Sequence, residues 1–211
     1  MSSGVSRAGL AAPLFDLRAF ARPGPGRRTV VLGAIEQIAR TVARTPEVMV
    51  KVSGGAKSTQ GAMAHLRYID RNGRLEIETD EGSTLKGKNV EYEIASAWDL
   101  DAAQSVGRAP YRGKSGRVPT KLVHNVIFSM PKGTPPKKLL AASRTFAREE
   151  FAFRHRYALV LHTDQDHPHV HLVIKAVSEQ GERLNIRKAT LREWRSQFAR
   201  QLRAQGVAAN A

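Results

Sequence analysis

Apolar and polar residues alternate along this chain with two periods, and the switches between them mark its elements. Val48-Met-Val-Lys-Val52 spells a strand that stops at the glycines of Ser53-Gly-Gly-Ala-Lys-Ser-Thr59. Gln60 to Ile69 follows with helical spacing: Ala62, His65, Leu66 and Ile69 share one face, and Ser58 or Thr59 can cap the first turn. Asn72-Gly73 marks a turn, with Arg74-Leu-Glu-Ile-Glu78 as the strand after it. Residues 80–120 are polar and Gly-rich, with one predicted helix from Val90 to Trp98 and a basic loop from Arg108 to Arg117.

Lys121 to Ser129 is a strand, closed by Met130-Pro-Lys-Gly-Thr-Pro-Pro136. Lys137 to Phe153 reads as a helix with Leu139, Leu140, Ser143, Phe146, Ala147 and Phe151 as its buried stripe. Two apolar runs come next, Tyr157 to Leu161 and His169 to Ile174, around a turn-rich loop. A last amphipathic helix, Thr190 to Gln205, carries Leu191, Trp194, Phe198 and Leu202 on one face and arginines elsewhere. Strands and helices are intermixed without repeated βαβ units. The class this predicts is α+β, an antiparallel sheet flanked by helices.

The first 45 residues have another texture. Met1 to Arg28 mixes Ser, Gly, Ala and Pro with Arg, and Arg22-Pro-Gly-Pro-Gly-Arg-Arg28 cannot be regular structure. It reads as a mobile arm. Val31, Ile35, Ile38 and Val42 give Val30 to Ala43 the spacing of a short amphipathic helix. The expected division is a basic extension over 1–45 and a main domain over 46–211.

Charge narrows the partner. Lys and Arg outnumber Asp and Glu by 34 to 19, a net +15, which points to a polyanion, with nucleic acid as the default and an acidic membrane surface as the alternative. No apolar run has the length of a membrane span and no signal-peptide pattern is present. Zero cysteines exclude disulfides, Cys-ligated zinc and thiol catalysis, and are compatible with the cytoplasm.

The chemistry concentrates in His162-Thr-Asp-Gln-Asp-His-Pro-His-Val-His171, which holds four of the seven histidines. His169 and His171 stand two apart on a strand and so project from one face. A hairpin closing over the loop brings His162 opposite His169, gathering three imidazoles around one point. Three His ligands without Cys suit a catalytic ion with open positions.

That hairpin closely resembles the third motif of the His-hydrophobe-His nucleases, the conjugative and mobilisation relaxases of the VirD2 and MobA/TraI types. Ala64-His-Leu-Arg-Tyr68-Ile-Asp-Arg-Asn-Gly-Arg resembles their first motif, and Val123-His-Asn-Val-Ile-Phe-Ser129-Met-Pro-Lys-Gly-Thr their second. The matches span roughly residues 48–205. The resemblance implies that Tyr68 is the nucleophile, that Ser129 helps hold DNA near the nick, and that His162, His169 and His171 bind a divalent ion. Mg2+ or Mn2+ is expected, with Zn2+ as the alternative. Arg67 and Arg71 flank the tyrosine as DNA contacts. The family commonly carries Asn shortly after the last histidine; here Lys175 stands there, a residue able to contact phosphate.

A phenol is largely protonated at neutral pH and needs help to attack phosphorus. A histidine-held cation would polarise a non-bridging phosphate oxygen. Asp164, two residues after His162, can orient an imidazole or accept the phenol proton; the orienting role is preferred.

The function implied is nicking of one strand at the transfer origin of a plasmid or integrative element. The product is a 5′-phosphotyrosyl adduct, and rejoining is the reverse reaction. Single-stranded and supercoiled origin DNA, accessory relaxosome proteins and a coupling protein are the expected partners. Two alternatives stay open. A rolling-circle replication initiator shares the histidine core, although initiators generally place the tyrosine after it. A basic DNA-binding module that cuts nothing would use the histidines structurally.

Overall fold

The structure is a computed structural model that describes residues 45–108 and 120–211. The predicted arm and helix before residue 45, and the basic loop from 109 onward with Tyr111, lie outside the described residues. Six strands form one antiparallel sheet: β1 (Met49–Ala56), β2 (Ile77–Thr79), β3 (Thr84–Leu85), β4 (Val123–Ser129), β5 (Tyr157–His162) and β6 (His169–Lys175), in the order β1-β4-β6-β5-β2-β3. The helices are α1 (Thr59–Ile69), α2 (Val90–Ala97), α3 (Leu100–Arg108), α4 (Pro136–Phe151) and α5 (Lys188–Ala204). This is the α+β class expected from the patterning.

Strand alternation sends alternate side chains to two cores. Val126 and Phe128 of β4, with Val170, Leu172 and Ile174 of β6, pack against α4 and α5 through Phe146, Trp194, Phe198 and Leu202. Val123, Val160 and Val173 face the other way, onto α1 and α2 through Leu66, Ile69, Ile94 and Trp98. The first core is built on aromatics: the Phe128 ring lies 4.6 Å from Phe198 and 5.0 Å from Phe146. Phe198→Ala is therefore expected to cost about 3–5 kcal/mol, the usual range for a buried aromatic truncation. A denaturant midpoint left unmoved by this substitution would contradict the packing.

Several local expectations are corrected. β1 does not stop at the glycines; it runs on to Ala56 across a register shift between Val52 and Gly54. The reason is proximity: a Cβ at Gly55 would collide with the Val123 carbonyl, so the missing side chain lets β1 keep its pairing with β4. The strand expected at 74–78 forms only at Ile77–Thr79, because Arg71, Asn72 and Gly73 all adopt left-handed backbone and spend the following residues reversing the chain. The polar stretch after residue 80 holds two unforeseen elements, β3 and α3. Leu140 is only half-buried; Ala142 takes its place in the α4 stripe. Elsewhere the Ser58 hydroxyl caps α1 by accepting from the Gly61 amide.

Candidate metal and nucleophile site

Residues facing one way from the ends of β4, β5 and β6 line a cleft of about 510 Å3. β5 and β6 pair so that His162 lies opposite His169, as the hairpin reading required. Ring centroids of His162, His169 and His171 lie 4.4–5.1 Å apart, and one nitrogen from each falls within 4.8 Å of the others.

Backbone carbonyls fix two of these rings. His162 donates Nε2–H to the Ile69 carbonyl at 2.6 Å, leaving Nδ1 as its acceptor. His169 donates Nδ1–H to the His167 carbonyl at 3.1 Å, leaving Nε2 free. His171 Nδ1 is buried without a hydrogen-bond partner among the described residues. Burial pushes the His171 pKa down to about 3, and its neighbours His162 and His169 add to the shift. Burial also lowers His162. His169 and His171 each keep a nitrogen without a hydrogen-bond partner among the described residues, and His162 Nδ1 faces the Arg71 guanidinium at 3.2 Å, so the three rings fit a divalent cation once Arg71 yields His162 to it.

Tyr68 sits on the last turn of α1, 62% exposed, and borders the same cleft. Arg71 links it to the histidines. The left-handed run after α1 folds the Arg71 side chain back, so its guanidinium carbon lies 5.3 Å from the Tyr68 ring centroid. One nitrogen of the same group is 3.2 Å from His162 Nδ1 and 2.6 Å from Asp164 Oδ2. Asp164 thus meets Arg71, while its other oxygen stands 3.9 Å from His162 Nδ1, beyond hydrogen-bonding reach. The Arg71 hydrogen bond holds the Asp164 carboxyl below its ordinary range, and the carboxylate raises Arg71 in return.

Ser129 is buried in the cleft wall, in register with His169, its hydroxyl 3.4 Å from the Pro168 carbonyl. Arg67 points elsewhere: it grips the buried Glu91 at 2.6–2.8 Å and ties α1 to α2. Lys175 lies at the far end of β6, roughly 13 Å of strand from His171, where it pairs with Glu179 at 3.0 Å.

Two histidines enter that the motif reading left without a role. His65 is one turn before Tyr68 on α1, its ring 6.4 Å from Tyr68 and 6.3 Å from His171, with Nε2 buried and unpartnered. Its spacing from Tyr68 was the available signal. His167 accepts the Lys132 amide on Nδ1 at 3.1 Å, and Lys132 also pairs with Asp166 at 3.3 Å, so the two loops walling the cleft are clasped.

Buried neutral histidines give stability a pH dependence. Unfolded imidazoles titrate near pH 6.5. In the folded chain His171 is pushed to about 3, and His124 to about 4 by burial and then by Lys121 and Arg183. Between those values the unfolded chain binds more protons, so stability is complete above about pH 6.5 and falls as pH drops. Acidification of the metal-free protein to about pH 4.5 is expected to lose on the order of 1–2 kcal/mol through His124, with allowance for its partial exposure. His124→Gln should flatten the pH profile of Tm, and an unchanged profile would sink this assignment.

A family model described as relaxase, MobA/VirD2-like, nuclease domain matches residues 79–207. The matched span holds the histidine triad and Ser129 but begins after Tyr68. The T-DNA border endonuclease VirD2 of Agrobacterium fabrum is 30% identical over 138 residues, covering 61% of this chain and 30% of that protein. The protein of the same name from Rhizobium rhizogenes is 28% identical over 138 residues, with the same coverage. The chain therefore spans only about 30% of the length of these curated relatives. Among solved structures, a chain from work described as "Molecular Basis of Vancomycin Resistance Transfer in Staphylococcus aureus" superposes at TM-score 0.46 and 13% identity. It covers 79% of this chain and 98% of that one.

Proposed function

Because the chain belongs to the MobA/VirD2-like relaxase nuclease family, we propose that it nicks one DNA strand at a plasmid or integrative-element transfer origin by tyrosine transesterification. One observation carries the reading: Tyr68, Arg71 and the three histidines line a single open cleft. The substrate is origin DNA, single-stranded at the nick within a supercoiled molecule, handled together with accessory relaxosome and coupling proteins in the cytoplasm.

In the forward step the Tyr68 oxygen bonds to phosphorus and the bond from phosphorus to the 3′-oxygen breaks. The phenol proton leaves, and the departing 3′-oxygen ends as a hydroxyl. A 5′-phosphotyrosyl ester results, and reversal rejoins the strand without another energy source. A divalent ion held by His162, His169 and His171 would neutralise charge on the non-bridging phosphate oxygens. Nitrogen ligands favour Mn2+ or Zn2+ over Mg2+ at such a site.

The chain's own groups do the rest. Arg71 sets a positive charge beside the phenol, where it can meet the phosphate that the nucleophile attacks. Asp164 keeps that guanidinium in position. Ser129 offers a hydroxyl at the cleft wall. His65 packs between Tyr68 and His171 and limits the swing of the nucleophile.

Incubation with labelled single strands of candidate origin sequence and Mn2+ tests this reading. A denaturing gel should show a shifted protein–DNA band and a free fragment ending in a 3′-hydroxyl. Binding should also weaken with salt at a log–log slope of about −0.7 per phosphate contacted. Binding without any cleavage across such a set would favour the non-catalytic module.

A further inference from the structure

On the sheet face opposite the histidines lies a second concavity, of about 460 Å3. Strand alternation establishes the side: Val52 pairs with Val126, and His124 shares the face of Val126 and Phe128, whereas Ile127 and Ser129 line the catalytic cleft. From this groove we infer a nucleotide-binding subsite for a single-stranded DNA segment that runs outside the catalytic cleft. The inference rests on the nuclease reading, since it extends the track of the same substrate.

The lining is divided by chemistry. Val52, Leu184, Ile186 and Leu191 form an apolar floor, each packed only partly against the core beneath and so left with surface to cover. Lys121 and Arg183 form the rim. Among the described residues no acidic residue lines the groove and neither cation pairs with a carboxylate. Their recorded partners are neutral oxygens. Lys121 Nζ reaches the Gly54 carbonyl at 3.1 Å, and Arg183 reaches the Lys121 carbonyl and the Thr120 hydroxyl at 2.9 and 3.1 Å. These bonds hold both cations in position and, among the described residues, leave their charge uncompensated.

An uncompensated basic rim over an apolar floor suits a nucleotide, with the phosphodiester at Lys121 and Arg183 and the base face on the aliphatic side chains. Duplex DNA would present its bases stacked and out of reach, so the fit is to an unpaired strand. His124 also lines the groove, a polar ring able to meet a base edge.

Two variants of the full chain test this. Arg183→Gln removes the charge and keeps an amide donor for Thr120. Leu191→Trp fills the groove without changing its charge. Single strands carrying 5-iododeoxyuridine are cross-linked by light and the attached peptides mapped, alongside affinity titrations over salt. The wild-type chain should cross-link at the 183–191 segment as well as in the cleft. Both variants should lose the groove cross-links, keep those in the cleft, and bind a long strand roughly fivefold more weakly. Arg183→Gln should also lower the salt slope by about 0.7. Wild-type affinity and slope in both variants, with cross-links confined to the cleft, would overturn the subsite alone. A wild-type chain that binds no single strand would overturn the nuclease reading and the subsite with it.

Discussion

Tyr68→Phe is expected to abolish covalent adduct formation, by at least about a thousandfold, while leaving the protein folded and able to bind metal and DNA. The substitution deletes one hydroxyl. Tyr68 is 62% exposed, so that oxygen contributes little to packing, and Tm should move by no more than about 1 °C. The ring stays in place for the Arg71 guanidinium and the stacked His65 ring, so the cleft keeps its shape. The other tyrosines are poorer candidates. Tyr157 is buried in the β5 core, and Tyr92, although 52% exposed, does not border the cleft. Tyr111 lies outside the described residues. An adduct that persists in Tyr68→Phe at wild-type yield would move the nucleophile elsewhere.

His171→Ala should have a comparable effect on cleavage for a different reason. Removing one of three nitrogens leaves a two-histidine site, which binds divalent ions far more weakly. Loss of a side chain that touches the ion itself is expected to exceed the roughly 10–100-fold affinity loss typical of residues that only hold a ligand in place. DNA affinity should fall less than roughly threefold, since Lys and Arg contacts to phosphate supply it. The variant separates a metal site from a structural cluster. His171 Nδ1 is buried and unpartnered, so in the metal-free protein its loss removes an unsatisfied polar atom. Metal-free stability should change little, and the stabilisation gained on adding Mn2+ should vanish. A Mn2+-induced rise in Tm equal to that of wild type would contradict the ligand assignment.

The hairpin was the most legible part of the sequence. Two apolar runs bounded by a Pro-containing turn fix the register to within one residue, and a slip of one would send His169 and His171 into the aromatic core beside Phe128. The amphipathic stripes of α1, α4 and α5 were readable because each faces one layer with a 3.6-residue period. The order of strands was not readable, because β1 reaches β4 and β4 reaches β6 through pairings remote in sequence.

Within the site, sequence spacing brings Tyr68 near the histidines only if α1 ends where it does. The position of Arg71 depends on three successive left-handed residues, and only the Asn-Gly pair hinted at them. Arg67 and Arg71 look alike in the motif. A buried glutamate 24 residues away claims the first, and an aspartate 93 residues away claims the second. Such choices depend on which acid the fold brings near, and local patterning carries no trace of that. Lys175 looked like a phosphate contact by its distance from the motif, but four residues of extended strand take it out of the cleft.

The central claim is that Tyr68 itself becomes joined to DNA. The most direct measurement is to form the adduct with Mn2+ on a cleavable single strand, digest the protein, and sequence the DNA-bearing peptide by mass spectrometry. The expected result is a peptide containing Tyr68 that carries the 5′-phosphate of one fragment, with a free 3′-hydroxyl on the other. Two protein-free fragments, or a nucleotide attached to any other residue, would contradict the account.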